Sequence, residues 1–305
     1  MSQHFSFSPT AITKIESWCT EFDCDFYMKR DDLFEEGGGG SKARMLQYIL
    51  WDAKKCNADY VLTAGGPFSN FNRALALMCK KHNLKMRLIL FNNNLHINRQ
   101  SLNKRFIDYC NVEIVTCDPD FVPETIQIEK EKIANDGFKA YYIWGGGKSN
   151  EGVQAYYDAF KEIKRQLKDV DYVFTAVGTG TTYAGLLSGA ALENSSTKVI
   201  GFSVAREKEI AEGVIHETLN DFPLVSDSTL LPIEINDDFL MGGYGKTSAT
   251  LNEFIRSFIQ NEGIIVDSIY VGKALYGTYK YLQNIKSDIK NRKIVFLNTG
   301  GLYNF

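Results

Sequence analysis

The sequence is poor in the residues that build metal and disulfide sites. Its 305 residues hold four histidines and six cysteines. The histidines form no H-E-x-x-H pattern, and Cys19, Cys24, Cys56, Cys79, Cys110 and Cys117 include no C-x-x-C pair. These gaps argue against a zinc site and a disulfide framework, so no metal and a reducing, cytoplasmic setting are expected. Basic runs are also missing and the net charge is −3, which argues against nucleic acid as the main partner. No apolar stretch approaches the roughly 18 residues of a membrane span, and no basic segment leads into an apolar one at the N-terminus. Neither a membrane partner nor a signal peptide is expected.

Two nucleotide motifs are incomplete. Gly245-Lys246-Thr247 and Gly147-Lys148-Ser149 end like a P-loop, yet Leu240 and Tyr142 stand where its first glycine belongs. Gly178-x-Gly180 lacks the third glycine of the dinucleotide fingerprint, with Tyr183 in that place. An ATPase and a dehydrogenase both lose support.

What is present is an ordinary globular composition, 44% hydrophobic and 23% charged, long enough for two domains. After a polar start, short apolar runs alternate with segments of helical periodicity. Strands are expected at Phe26–Met28, Tyr60–Thr63, Met86–Leu90 (closed by Asn92-Asn93-Asn94), Val112–Val115, Ala140–Ile143, Tyr172–Ala176, Val199–Ser203 and Ile294–Leu297. Helices are expected from Lys42 with Ser41 as N-cap, from Ser69, around Gln100–Tyr109, Ile126–Ile133, Glu151–Leu167, Ala184–Leu192, up to about Leu219, Leu251–Ile259 and Ala274–Tyr281. This alternation implies an α/β fold of parallel sheets with helices on both faces.

Ligands in such folds sit beyond the C-terminal ends of strands. Glycines and hydroxyls gather there: Gly65-Gly66, Gly145 to Gly147, Gly178 to Thr182, Gly242-Gly243 and Gly300-Gly301. The loop Gly178-Thr179-Gly180-Thr181-Thr182 suits a phosphate monoester, with backbone N–H groups, hydroxyls and a helix N-terminus converging. A plain turn with threonine caps also fits those residues. Gly37-Gly38-Gly39-Gly40-Ser41-Lys42 is the other focus. A lysine at the mouth of a glycine loop suits a phosphate ligand or a Schiff-base nucleophile, and a flexible surface loop fits equally well. Ser69-Asn70 fits a helix cap, or polar groups facing the same crevice as Lys42.

Lys29-Arg30-Asp31-Asp32-Leu33 followed by Gly39-Gly40-Ser41-Lys42-Ala43-Arg44 resembles the lysine motif of the 1-aminocyclopropane-1-carboxylate deaminase and D-cysteine desulfhydrase family. The likeness continues in order through Thr63-Ala64-Gly65, Ser69-Asn70, Gly145 to Gly147, Gly178 to Thr182, Gly243-Tyr244-Gly245, Tyr270-x-Gly272-Lys273-Ala274 and Thr299-Gly300-Gly301. It covers the chain from about residue 7 onward. The resemblance implies a pyridoxal 5′-phosphate enzyme of the tryptophan-synthase β-subunit fold type: two parallel-sheet α/β lobes with the cofactor cleft between them. It implies a large domain of residues 1–45 and 152–305 and a small one of residues 46–151. Lys42 would carry the cofactor as a Schiff base and then move a proton at the substrate carbon. Asn70 would bond the ring's 3′-oxygen, Ser69 would help hold the substrate, and Gly178, Thr179, Gly180, Thr181 and Thr182 would cradle the 5′-phosphate. Tyr244 and Tyr270 match two active-site tyrosines, and Thr299 would meet the pyridine nitrogen. A small amino acid as substrate, a homodimer, and lyase or hydrolase chemistry giving a 2-oxo acid and ammonia follow from the same likeness.

The departures are specific. Ser41 replaces an asparagine, and Met45 replaces a lysine that helps to hold the phosphate. Phe68 and Phe71 replace polar residues around Ser69-Asn70, which points to a larger or more apolar substrate. Val271 stands where the deaminases carry a glutamate that keeps the ring nitrogen protonated. These changes leave β-replacement or racemisation, and a non-catalytic binding protein, as alternatives.

Overall fold

Two sheets carry the described part of the chain. The structure is a computed structural model and describes residues 8–91, 101–225 and 231–304, so the Asn92–Asn94 turn and Gln100 lie outside the described residues. The elements follow in order as β1 (Ile12–Lys14), α1 (Glu16–Phe22), β2 (Asp25–Arg30), α2 (Ser41–Lys55), β3 (Tyr60–Gly65), α3 (Asn70–Lys81) and β4 (Lys85–Phe91). Next come α4 (Leu102–Tyr109), β5 (Glu113–Cys117), α5 (Val122–Asn135), β6 (Ala140–Ile143), α6 (Asn150–Gln166), β7 (Tyr172–Val177) and α7 (Thr181–Leu192). The last are β8 (Lys198–Ser203), α8 (Lys208–Asn220), β9 (Glu234–Asn236), α9 (Ala249–Glu262), α10 (Val271–Asn284) and β10 (Lys293–Asn298).

The larger sheet has six strands in the order β1-β2-β10-β7-β8-β9, parallel except for β1, which runs antiparallel to β2. The smaller has four parallel strands, β5-β4-β3-β6. At the centre of the larger sheet β2 pairs β10 over its whole length, from Asp25 opposite Lys293 to Arg30 opposite Asn298. Strands buried on both faces explain the near-continuous apolar runs Val61-Leu62 and Ile294–Leu297. One core cluster joins the two sheets through α2, α3, α6 and α7, with Leu46, Ile49, Leu75, Tyr156, Phe160 and Leu186 among its members. A second lies on the far face of the larger sheet, where Trp18, Phe22, Phe26, Phe174, Phe202 and Phe258 pack under α1, α9 and α10.

Three elements depart from the sequence expectation. β1 and α1 occupy the polar start, and β9 extends the larger sheet at its other edge. Ser41 is not the cap of α2. That place is taken by Gly40, at φ 91° and ψ 172°, with no side-chain cap. An L side chain rarely adopts that φ, and a Cβ there would press on the Thr299 carbonyl at 2.9 Å.

Candidate active site

Lys42 owes its position to the turn before it. Gly37 to Gly40 all have positive φ, and a Cβ on Gly39 would collide with the Asp32 carbonyl. Within the turn, Gly40 N–H donates to Asp31 O at 2.8 Å and Ser41 N–H donates to Thr299 O at 2.9 Å. The turn is thus tied to the ends of the paired strands β2 and β10. Lys42 follows in the first turn of α2, and its Nζ donates to Gly146 O, beyond β6, at 2.8 Å. Burial without an acidic partner lowers its pKa from 10.5 to about 8. At pH 7.5 roughly a quarter of such amines are neutral, against about a thousandth for an ordinary lysine.

A buried ionic cluster supports this turn from below. Arg44 grips Asp31 with two bonds of 2.8 Å and donates to Glu162 of α6 at 2.9 Å. Lys29 also pairs with Glu162, and Thr10 and Tyr156 hydroxyls donate to Asp31 at 2.8 Å. Burial pushes the Asp31 carboxyl up, but the Arg44 guanidinium outweighs it with help from Lys29 and Thr10, holding the group below its usual range. Because Asp31 also supplies the carbonyl that holds Gly40, the cluster and the lysine turn form one unit.

The N-terminus of α3 forms the opposite wall. Ser69 is its N-cap, accepting from Asn72 N–H at 3.2 Å. Asn70 Oδ1 accepts from Asn103 Nδ2 at 3.0 Å, which orients the amide and leaves its own N–H donors available. Arg73, 2% exposed, donates to Gly37 O and lies 4.4 Å from the Tyr303 ring centroid. It has no acidic partner among the described residues, and burial lowers its pKa to about 10.

The third wall is the turn from β7 into α7. Gly180, at φ 83°, is the N-cap of α7. Arg206, after β8, donates to Gly178 O. Across the cleft, the Tyr244 and Tyr270 hydroxyls are 2.7 Å apart. Burial, with Tyr244 alongside, raises the Tyr270 pKa well above 10. Lys273 is fully buried and donates to Leu240 O and Gly243 O at 2.8 Å and to Val204 O at 3.3 Å, so it fastens the Tyr244 segment to α10. Asp267 receives the backbone N–H groups of Ile269, Tyr270 and Val271 and fixes the start of the same helix.

One cavity of about 1010 Å³ is lined by Lys42, Ser69, Asn70, Gly178, Thr179, Gly180, Thr182, Tyr244, Tyr270 and Thr299. Thr181 is the predicted residue that does not line it: its side chain is fully buried and its hydroxyl has no partner. Gly242 and Gly243 also stay outside it, in the segment after β9. The cavity's described lining contains four cations, Lys42, Arg73, Lys130 and Arg206, and no Asp or Glu. A site built this way suits a ligand with several negative charges, and a lysine of lowered pKa beside it suits an aldehyde.

The structure changes the meaning of two sequence departures. Met45 and Phe71 are both buried core residues, and they converge on Gly147, where an added Cβ would meet the Phe71 ring at 3.2 Å and the Met45 sulfur at 3.5 Å. They form one apolar seal beside the cleft, and Phe68 and Phe71 both line the cavity. Val271 is completely buried. Arg73, Asn103, Arg206 and Lys273 escaped sequence reasoning. Lys273 alone had a signal, its place in the Tyr270-x-Gly272-Lys273 stretch.

Residues 5–300 match the family described as pyridoxal-phosphate dependent enzyme. A Thermotoga maritima protein, provisionally named 1-aminocyclopropane-1-carboxylate deaminase, is 31% identical over 98% of this chain and 95% of its own length. D-cysteine desulfhydrase of Salmonella newport is 28% identical over 96% of this chain and 92% of its own. A crystal structure described as an ACC deaminase homologue shares 30% identity and a TM-score of 0.87, covering 97% of this chain and 90% of that one. Neither enzyme name speaks of hydrolysis, so the expectation of a hydrolase is set aside.

Proposed function

The chain belongs to the pyridoxal-phosphate dependent enzyme family, with the two α/β lobes of fold type II, and from that premise we propose a lyase that deaminates or desulfhydrates a small amino acid. The reaction consumes one water, and its products are a 2-oxo acid and ammonia, with sulfide where the substrate is a cysteine. The observation that carries this reading is Lys42, with its pKa lowered to about 8, in a cleft of four cations and no acid.

When bound, pyridoxal phosphate supplies the electron sink for bond breaking at the substrate's α-carbon. Lys42 would hold it through the amine and would move a proton at that carbon. The Asn70 amide would hold the ring's 3′-oxygen, the turn from Gly178 to Thr182 would hold the phosphate, and Thr299 would face the ring nitrogen. Ser69 and the N-terminus of α3 receive the substrate carboxylate. Tyr270, in contact with Tyr244, exchanges a proton with the substrate's side chain. The lobes divide as residues 1–45 with 152–305 and 46–151, supported by a smaller sheet drawn wholly from the latter. A cytoplasmic homodimer is part of this proposal. All six cysteines being free supports the location.

A second reading, β-replacement or racemisation, is favoured by Val271, which is buried and cannot protonate a ring nitrogen. The test is a panel of D-cysteine, L-cysteine and 1-aminocyclopropane-1-carboxylate with the purified holoenzyme, measuring 2-oxo acid, ammonia and sulfide. Release from any of them supports the lyase. Spectral change without release supports the second reading, and a protein whose Lys42 borohydride cannot link to the cofactor would sink both.

A further inference from the structure

The residue three places after Lys42 cannot serve an anion here, because Met45 is fully buried with its sulfur against Gly147 and the Phe71 ring. A phosphate group in the loop after β7 would then meet backbone N–H groups and the partial charge of the α7 N-terminus, with no cation at position 45. On the far side of that loop stands Arg206. Its N–H donates to the Ser203 hydroxyl at 3.4 Å, and that hydroxyl donates back to the Arg206 carbonyl, so the turn after β8 is fixed. Its guanidinium donates one N–H to the Gly178 carbonyl. The other four have no protein acceptor and no carboxylate in ion-pair range among the described residues. Arg206 lines the cavity beside Gly178, Thr179, Gly180 and Thr182, and the neighbouring Thr181 hydroxyl is fully buried without a partner.

From this arrangement, resting on the cofactor reading above, we infer that Arg206 provides an ionic contact to the cofactor's phosphate. Its planar fork suits two phosphate oxygens, and the bond to Gly178 holds that fork at the loop.

The test titrates the cofactor-stripped full chain with pyridoxal phosphate and, separately, with pyridoxal, which lacks the phosphate. Arg206→Gln, which retains a donor for the Gly178 carbonyl, and Arg206→Met are compared with the parent. Both variants should bind pyridoxal phosphate about ten- to a hundredfold more weakly and pyridoxal within about twofold of the parent. Equal losses for both ligands would reduce Arg206 to a structural prop, and no loss for either would dismiss it; each overturns the inference. If the parent takes up neither ligand, the cofactor reading fails, and inorganic phosphate becomes the probe. Thermal stabilisation by phosphate that disappears in Arg206→Gln then upholds an Arg206 anion site, and equal stabilisation of both overturns it.

Discussion

Lys42→Met in the cofactor-free protein should make the fold more stable at neutral pH. Lys42 falls from 10.5 to about 8 on burial. That shift corresponds to about 3 kcal/mol of penalty for keeping the amine charged in the fold. Water in the open cleft and the lost 2.8 Å bond to Gly146 O reduce the benefit of removing it, leaving a net gain of about 1–2 kcal/mol. The sign follows from proton counts. Between pH 8 and 10.5 the unfolded chain holds more protons on this lysine than the fold does, so parent stability climbs across that window. The advantage of Lys42→Met is therefore full below about pH 8, shrinks above it and reverses before pH 10.5, because the pH-dependent part, about 3 kcal/mol, exceeds the net gain. Urea denaturation of both cofactor-free proteins at pH 7, 9 and 10.5 reads this directly. A variant less stable at pH 7, or a difference that ignores pH, would refute the reasoning.

Three further outcomes can be checked. Tyr270→Phe removes a hydroxyl 2.7 Å from that of Tyr244, and kcat should fall by about 10²–10⁴ with cofactor affinity retained; unaltered turnover would remove Tyr270 from the chemistry. Arg44→Met leaves Asp31 and Glu162 buried without their guanidinium and should cost about 3–5 kcal/mol in urea at pH 7, a deficit that shrinks in acid as the Asp31 carboxyl takes up a proton. An unchanged midpoint would show that the cluster is dispensable. Lys273→Met frees three carbonyls, including those of Leu240 and Gly243, and should lower kcat and speed limited proteolysis around Tyr244 while leaving cofactor affinity alone.

Where the sequence could be read, the signal was local. The alternation of apolar runs and helical periods located β3, β7, β8 and β10 within a residue or two of their observed ends, because buried parallel strands are apolar along their whole length. Lys42 stood out because four glycines before it have no structural use except a turn. Three-residue β1 and β9 are too short to show a period, and α1 starts at Glu16 with Ile15 at the cap position and no side-chain cap. Which way a side chain faces in a first helical turn depends on its neighbours, so the sequence did not show that Phe71 is a core residue as well as part of the cavity lining. Arg73 and Arg206 reach the cleft, and Asn103 the Asn70 amide that lines it, from segments far apart in sequence. Only the packing of the two sheets brings them together.

The pairing of β2 with β10 also sets an order of assembly. The smaller sheet has all its strands once Ile143 has been synthesised. The larger sheet cannot close its centre until Asn298 exists, so β2 must wait through nearly the whole of translation with one flank open. Lys29, Asp31 and Arg44 wait as well, since Glu162 arrives only with α6. Long-range closure of this kind is slow and leaves strand edges exposed meanwhile. The lysine turn, seated on β2, therefore reaches its final shape among the last parts of the molecule, and a cofactor can be captured only after the chain has come back to meet its own beginning.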